Sequence, residues 1–211
     1  MTAPLGEILD AAVDEGFLTR TAASDGIEHS EGFLGFGPED FAVLLGVNDL
    51  AIDLGTGGGL PGLVLATQTD NRWLLVDRGT RRCRFLRWAV GILEISDRVE
   101  IMESSVEELA RTGYRGRAML VTARSFGAPA KTAECAAPLL RTRGILVVSE
   151  PPQTASERSE RWPAEGLNKL GLSDVGHWHT GSHGYRAFVC DRTCPPDFPR
   201  RMPKIVADPL F

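Results

Sequence analysis

The chain has 211 residues, of which 43% are hydrophobic and 24% charged, an ordinary globular balance and long enough to bury roughly two-thirds of the unfolded surface without disulfides or metal. No apolar run approaches the ~18 residues needed to span a bilayer, and Met1-Thr2-Ala3-Pro4 opens no secretory signal, so no membrane segment and a cytoplasmic location are expected. Net charge is −5, yet residues 1–49 hold ten acids against the single base Arg20, which leaves a mildly basic remainder and excludes the strong basic bias of a dedicated nucleic-acid binder.

In chain order, the first predicted element is an amphipathic helix with Leu5, Ile8, Leu9 and Val13 at helical spacing, followed by a polar segment to about Gly37. A short helix then opens with Pro38 and buries Phe41, Leu44 and Leu45. Residues 1–49 therefore read as an acidic helical appendage. From Leu50, short apolar strands alternate with longer helical stretches, the pattern of a parallel sheet covered on both faces. Seven strands are predicted: Leu50–Leu54, Trp73–Asp77, Val99–Met102, Ala118–Thr122, Ile145–Ser149, Asp174–His179 and Arg186–Cys190. Helices separate the first six, whereas only the turn Thr180–Gly184 separates the last two, which must pair as an antiparallel hairpin at the sheet edge. Pro151 and Pro152 end the fifth strand, and Gln153–Trp162 reads as a surface loop entering a helix. The fold class is α/β, a doubly wound, seven-stranded, mostly parallel sheet over residues 50–192, with a Pro/Arg-rich tail over 193–211.

The strongest local signal is Asp53-Leu54-Gly55-Thr56-Gly57-Gly58-Gly59-Leu60-Pro61-Gly62, placed where the first strand ends and a helix begins. Glycines there let the backbone approach a ligand, Pro61 suits a first helical position, and the free helix N–H groups face what binds. Gly57, Gly59 and Gly62 also satisfy the G-x-G-x-x-G spacing of dinucleotide enzymes. Asp53 discriminates: a carboxylate inside the strand suits the ammonium of a methionyl group, directly or through water, and is an odd neighbour for a pyrophosphate. The terminal hairpin favours the same choice, by analogy of fold. Asp77 closes the second strand, where a carboxylate accepts both ribose hydroxyls of either cofactor. S-adenosylmethionine is the expected cofactor, and a nicotinamide dehydrogenase is the disfavoured alternative.

Ser104-Ser105-Val106-Glu107-Glu108, after the third strand, either lines the adenine end of the same crevice or caps the next helix. The second helix of the sheet region opens Arg78-Gly79-Thr80-Arg81-Arg82-Cys83-Arg84-Phe85-Leu86-Arg87. Leu86, Ala89, Val90 and Leu93 form its buried face, and Arg81, Arg84 and Arg87 lie opposite. Cations at a helix N-terminus oppose the macrodipole, so an anionic partner relieves a standing penalty; a solvated face is the plainer reading. The four cysteines, Cys83, Cys135, Cys190 and Cys194, build no disulfide framework. His177, His179 and His183 with Cys190 lack the tight paired spacing of a zinc site, so they read as strand-end and turn residues and no metal is expected.

The stretch Asp53–Pro152 resembles the bacterial small-subunit rRNA guanine-N7 methyltransferases, the GidB or RsmG family. Three blocks carry the likeness: Asp53 to Gly62 with its proline after the glycine turn, Arg81-Arg82-Cys83-Arg84-Phe85-Leu86, and Ala123-Arg124-Ser125-Phe126 at the end of the fourth strand. A looser fourth block is the tail, with Phe198-Pro199-Arg200-Arg201, Pro203, Lys204, Pro209 and Leu210. The resemblance implies that Asp53, Gly55, Thr56, Gly57, Gly59 and Leu60 surround the methionyl part of the cofactor, Asp77 and Arg78 the ribose, and Val106 and Glu107 the adenine. It implies that Arg124 faces both cofactor and acceptor, that Phe126 stacks on a flipped base, and that Arg81, Arg84, Arg200, Arg201 and Lys204 hold RNA phosphates. The implied partner is rRNA or the small ribosomal subunit. The acidic N-terminus keeps a small-molecule or protein acceptor open as an alternative, and a decayed acceptor site would leave a protein that binds the cofactor without catalysis.

Overall fold

The computed structural model describes residues 3–35, 45–151 and 161–211, and its elements follow the predicted alternation. Three helices come first: α1 (Ala3–Asp14), α2 (Arg20–Ser24) and α3 (Gly26–Glu31). The sheet region then runs β1 (Leu50–Leu54), α4 (Gly62–Gln68), β2 (Arg72–Asp77), α5 (Thr80–Ile92), β3 (Val99–Glu103), α6 (Val106–Leu109), β4 (Ala118–Ala123) and α7 (Pro129–Ala136). It ends with β5 (Leu140–Glu150), α8 (Ala164–Leu170), β6 (Leu172–Thr180) and β7 (His183–Cys190), before a last helix, α9 (Met202–Ala207). The strands form one sheet in the order β3-β2-β1-β4-β5-β7-β6. All neighbours are parallel except β7, which runs antiparallel to both β5 and β6. The hairpin is tighter than expected: only Gly181 and Ser182 lie between β6 and β7, and Gly181 takes φ +56°, the left-handed backbone such a turn requires.

Strand alternation sorts the core. Ile52, Leu54, Leu74, Val76, Val121, Leu146 and Val148 point to one face, under α7 and α8. Ala51, Trp73, Leu75, Leu120, Ile145 and Val147 point to the other, with α5 and the N-terminal helices. Those helices are not an appendage standing apart from the sheet. Ile8, Ala12 and Phe33 belong to the second cluster, and Leu5 and Leu9 close over Leu60 and Val64. The hairpin anchors the end of α3, because Trp178 Nε1 donates to the Gly32 carbonyl at 2.9 Å and Tyr185 Oη to that of His29 at 2.7 Å. The segment read as polar to Gly37 thus contains α2 and α3, two helices too short to announce a periodicity. The helix expected from Pro38 lies outside the described residues apart from Leu45, as does the loop of residues 153–160.

The tail is likewise docked. Arg115 donates to the carbonyls of Cys194, Pro195 and Phe198, and Ile205 is buried. Among the described residues no helix is long and apolar enough to cross a membrane, and no group of three or more His, Cys, Asp or Glu is placed to hold a metal ion. The strand order reverses at the neighbouring pair β1 and β4, with β4 the central strand of the seven, and this switch opens a crevice at their C-terminal ends. The glycine turn follows β1 into this crevice.

Candidate active site

The turn is shaped by two carboxylates acting on backbone N–H groups. Asp53 has no exposed surface: its Oδ2 accepts from Gly62 N at 3.1 Å and its Oδ1 from Thr122 Oγ1 at 2.8 Å, across the β1–β4 register. Asp77, 5% exposed, accepts from Gly57 N at 3.1 Å through Oδ2, and from Gly79 N at 2.7 Å and Arg82 Nε at 2.9 Å through Oδ1. The loop is therefore tied at both ends before any ligand arrives, as a preorganised site demands. Gly55 and Gly57 adopt φ +70° and +60°, and a Cβ on Gly55 would come within 3.0 Å of the Phe126 ring.

A cleft of about 280 Å³ opens over this loop. Its walls are Gly55, Gly57, Asp77 and Arg78 on one side, Ser104 to Glu107 on another, and Ser125, Phe126, Lys131 and Met202 at the far end. A buried oxygen of Glu107, Oε2, has no hydrogen-bond partner, so the cleft carries an unused acceptor where an amino group would be welcome. Left-handed glycines against Phe126 and an idle carboxylate oxygen at the other end fit a flat, amine-bearing nucleoside joined to a small polar chain. A second cleft, of about 540 Å³, shares Ser125 and Phe126 with the first and continues between the ends of β4 and β5, α3 and the hairpin. His29 and His183 stack in its wall with ring centres 4.1 Å apart. Burial, then the nearby Arg124 and His183, lower the pKa of His29 to about 4, so this imidazole is neutral near pH 7.

Of the expected cofactor residues, Gly55, Gly57, Asp77, Arg78, Val106 and Glu107 line the first cleft. Three others do not present their side chains to it. Asp53 is sealed beneath the loop, so a direct contact between its carboxylate and an ammonium is not available. The Thr56 hydroxyl turns inward to the Asp53 carbonyl, and Leu60 packs against Leu5, Leu9 and Val64. Gly59, at φ +109°, faces Leu63, and its part is to let the turn close into α4. Pro61 takes the N-cap position rather than the first helical one. Ser105 occupies the N-cap of α6, but its hydroxyl donates to Glu108 at 2.9 Å.

Of the residues expected to meet an acceptor, Phe126 sits at the junction of the clefts with Lys131 Nζ 5.0 Å from its ring centre. Arg124 is in the wall of neither cleft; it lies near Asp53, Tyr185 and Asp25, with its buried Nη1 unpartnered, and makes no ion pair with Glu150 or Glu134. The expectation that Arg200 holds a phosphate is overturned, because its guanidinium grips the fully buried Glu134 through Nε at 2.8 Å and Nη2 at 2.7 Å. Lys204 pairs with Asp208 at 2.6 Å, and Arg201 is exposed at the N-cap of α9. Arg81 is taken by Glu15 at 2.9 Å and, with Arg84, borders a groove beside α1 rather than either cleft.

Sequence reasoning passed over Arg82, which lies about 100° around the helix from Arg81 and so turns back to Asp77. It also missed Lys131, Met202, His29 and Glu150, which come from elements far apart in sequence and have no motif of their own.

The burial of Asp53 has a consequence for stability. Desolvation raises its pKa to about 6 from an ordinary value of 3.8, against the lowering effect of its hydrogen bonds. The folded protein therefore holds this proton at pH values where the unfolded chain has released it, and the resulting stabilisation is lost as pH rises through about 6. Comparing wild type with Asp53→Asn in urea titrations, the difference in unfolding free energy is expected to fall by on the order of 2 kcal/mol between about pH 4 and pH 6.5. A constant difference would show that Asp53 ionises normally.

The sheet order and the crevice after β1 define the class: this is the fold of the class I methyltransferases. Solved structures agree. Geranyl diphosphate methyltransferase, in complex with geranyl diphosphate and sinefungin, superposes with a TM-score of 0.58 at 14% identity, covering 76% of this chain and 77% of that one. The antibiotic-resistance methyltransferase Kmr gives 0.55 at 18% identity, covering 70% and 90%. At the level of family, residues 42–179 match GidB, rRNA small subunit methyltransferase G, and the chain belongs to that family. Curated relatives called ribosomal RNA small subunit methyltransferase G include those of Methylococcus capsulatus, 35% identical over 59% of this chain and 60% of the relative, and Clavibacter michiganensis subsp. michiganensis, 34% identical over 58% and 56%. A third, from Gluconobacter oxydans, is 33% identical over 51% and 53%. The chain spans about half the length of the curated relatives it matches.

Proposed function

We propose that this chain is an S-adenosylmethionine-dependent methyltransferase acting in the cytoplasm on guanine N7 of small-subunit rRNA. The observation that carries the reading is the pair of clefts joined at Ser125 and Phe126: one fits a nucleoside cofactor, the other opens from it towards the surface and has room for a flipped base. When bound, S-adenosylmethionine would supply a methyl group activated on a sulfonium for in-line transfer to a free lone pair, with S-adenosylhomocysteine as the leaving group.

Guanine N7 presents such a lone pair without prior deprotonation, so the protein's task is alignment rather than acid–base catalysis. Asp77 receives the ribose hydroxyls while Arg82 and two backbone N–H groups hold its carboxylate in place. Glu107 accepts from the adenine amino group through the oxygen that now lacks a partner. Gly55 brings the backbone against Phe126, whose ring forms the floor on which the acceptor base stacks. Asp53 keeps the turn in shape from below, and the neutral His29 borders the acceptor side.

Asp77→Asn is expected to weaken binding of S-adenosylhomocysteine about tenfold in calorimetry, because the amide replaces one of the two acceptor oxygens with an N–H₂ that faces the N–H donors Asp77 now satisfies. Unchanged affinity would remove Asp77 from the ribose site. The acceptor is tested by labelling small ribosomal subunits from a strain that lacks the guanine-N7 modification. Label in the rRNA at a single guanine supports the proposal, and none under conditions of saturating cofactor rejects it. The acidic helix α3, whose His29 lines the second cleft, favours, as a second reading, a small-molecule or protein acceptor, and that reading gains if cofactor binds and rRNA stays unlabelled.

A further inference from the structure

The second cleft contains a carboxylate that nothing in the mechanism uses. Glu150 ends β5, opposite Gly184 of the hairpin, and its side chain is only 6% exposed. Trp162 Nε1 donates to its Oε1 at 3.1 Å and Arg161 Nε to the same oxygen at 3.4 Å. These two donors fix the carboxylate plane and leave Oε2 buried with no partner. A buried carboxylate oxygen without a protein donor is costly, and a ligand that brings one recovers the cost. A second idle polar atom, His29 Nε2, lies in the wall of the same cleft.

We propose that Glu150 is a specificity residue that reads the Watson–Crick edge of the acceptor guanine, accepting from N1–H and the N2 amino group. The inference rests on the guanine-N7 reading of the acceptor. Its geometry follows from the base itself: N7 lies on the opposite side of the purine from N1 and N2. A guanine stacked on Phe126 with N7 towards the first cleft turns its donor edge towards the far wall, where β5 ends. Guanine is the base whose Watson–Crick edge carries two adjacent donors. Adenine offers an acceptor at N1 and cytosine one at N3, each repelled by a carboxylate, and uracil flanks its single donor with carbonyl oxygens. Trp162 and Arg161 act as positioning residues, since they touch Glu150 rather than the base.

The test uses the full chain saturated with S-adenosylhomocysteine and three probes, GMP, IMP and AMP, with binding followed by ligand-detected NMR. IMP keeps N1–H and lacks the N2 amino group; AMP lacks both donors. Wild type is expected to bind GMP about tenfold more tightly than IMP and to bind AMP more weakly still. Glu150→Gln is expected to abolish that ranking while leaving S-adenosylhomocysteine affinity unchanged, which serves as the check that the variant is folded. Equal or undetectable binding of the three nucleotides by wild type overturns the proposal, as does a ranking that survives in Glu150→Gln. A wild type that ranks the nucleotides as expected but labels no rRNA keeps the guanine site and rejects rRNA as the acceptor. One that labels rRNA without ranking them rejects the role of Glu150 alone.

Discussion

Arg200→Ala is expected to lower unfolding stability by about 3–5 kcal/mol, with a fall in Tm on the order of 10 °C. Glu134 is completely buried on α7 and receives three donors from Arg200: its backbone N at 2.9 Å, Nε at 2.8 Å and Nη2 at 2.7 Å. Truncation leaves only the backbone donor and strands a carboxylate in an apolar cluster. Adding Glu134→Gln is expected to restore a large part of the loss, because the uncompensated charge disappears with it. Chemical denaturation of the single and double variants gives the answer. A stable Arg200→Ala that binds ribosomal subunits poorly would instead return Arg200 to the RNA side.

Gly62→Ala is expected to cost about 4 kcal/mol, combining overpacking with the loss of a buried hydrogen bond. The reason is space rather than backbone freedom. A Cβ at this position would lie 2.6 Å from Asp53 Cβ, 2.6 Å from Asp53 Oδ2 and 2.6 Å from Leu75 Cδ2. All three belong to fully buried residues of two sheet strands, so none of them can move aside cheaply. The collision also parts Gly62 N from Asp53, which unties the far end of the glycine turn. Cofactor affinity and Tm should therefore fall together. A Gly62→Ala protein with wild-type Tm would mean that α4 shifts freely against the sheet.

Much of the fold was legible because strand and helix leave distinct apolar periods and because β1 to β4 are short, mostly apolar runs. The boundaries of β1 match the expectation, and β2 and β3 each extend by one residue. β5 runs five residues further back, to Leu140, because Arg141, Thr142 and Arg143 form an exposed, polar stretch of strand that no hydrophobic signal marks. The lining of the first cleft was legible for a similar reason: the glycine turn, Asp77 and the Val106–Glu107 corner each sit at or just beyond the end of a strand. The chemistry of Asp53 was not. An acid in a β-strand says only that something must satisfy it, and here that is the Gly62 N–H and the Thr122 hydroxyl rather than a ligand. The basic tail misled in the same way, since charge in a sequence does not reveal that Glu134, 66 residues earlier, waits for Arg200. The second cleft draws on α3, β4, β5 and the hairpin at once, so no local pattern announces it.

The claim on which the rest depends is that the crevice after β1 binds an adenosyl amino acid. Titrating the purified chain with S-adenosylhomocysteine in a calorimeter, with NAD as the control, tests it directly. One site with a dissociation constant in the micromolar range, weakened by Asp77→Asn and silent towards NAD, is the predicted result. Absence of heat with S-adenosylhomocysteine, or binding of NAD in its place, would contradict it.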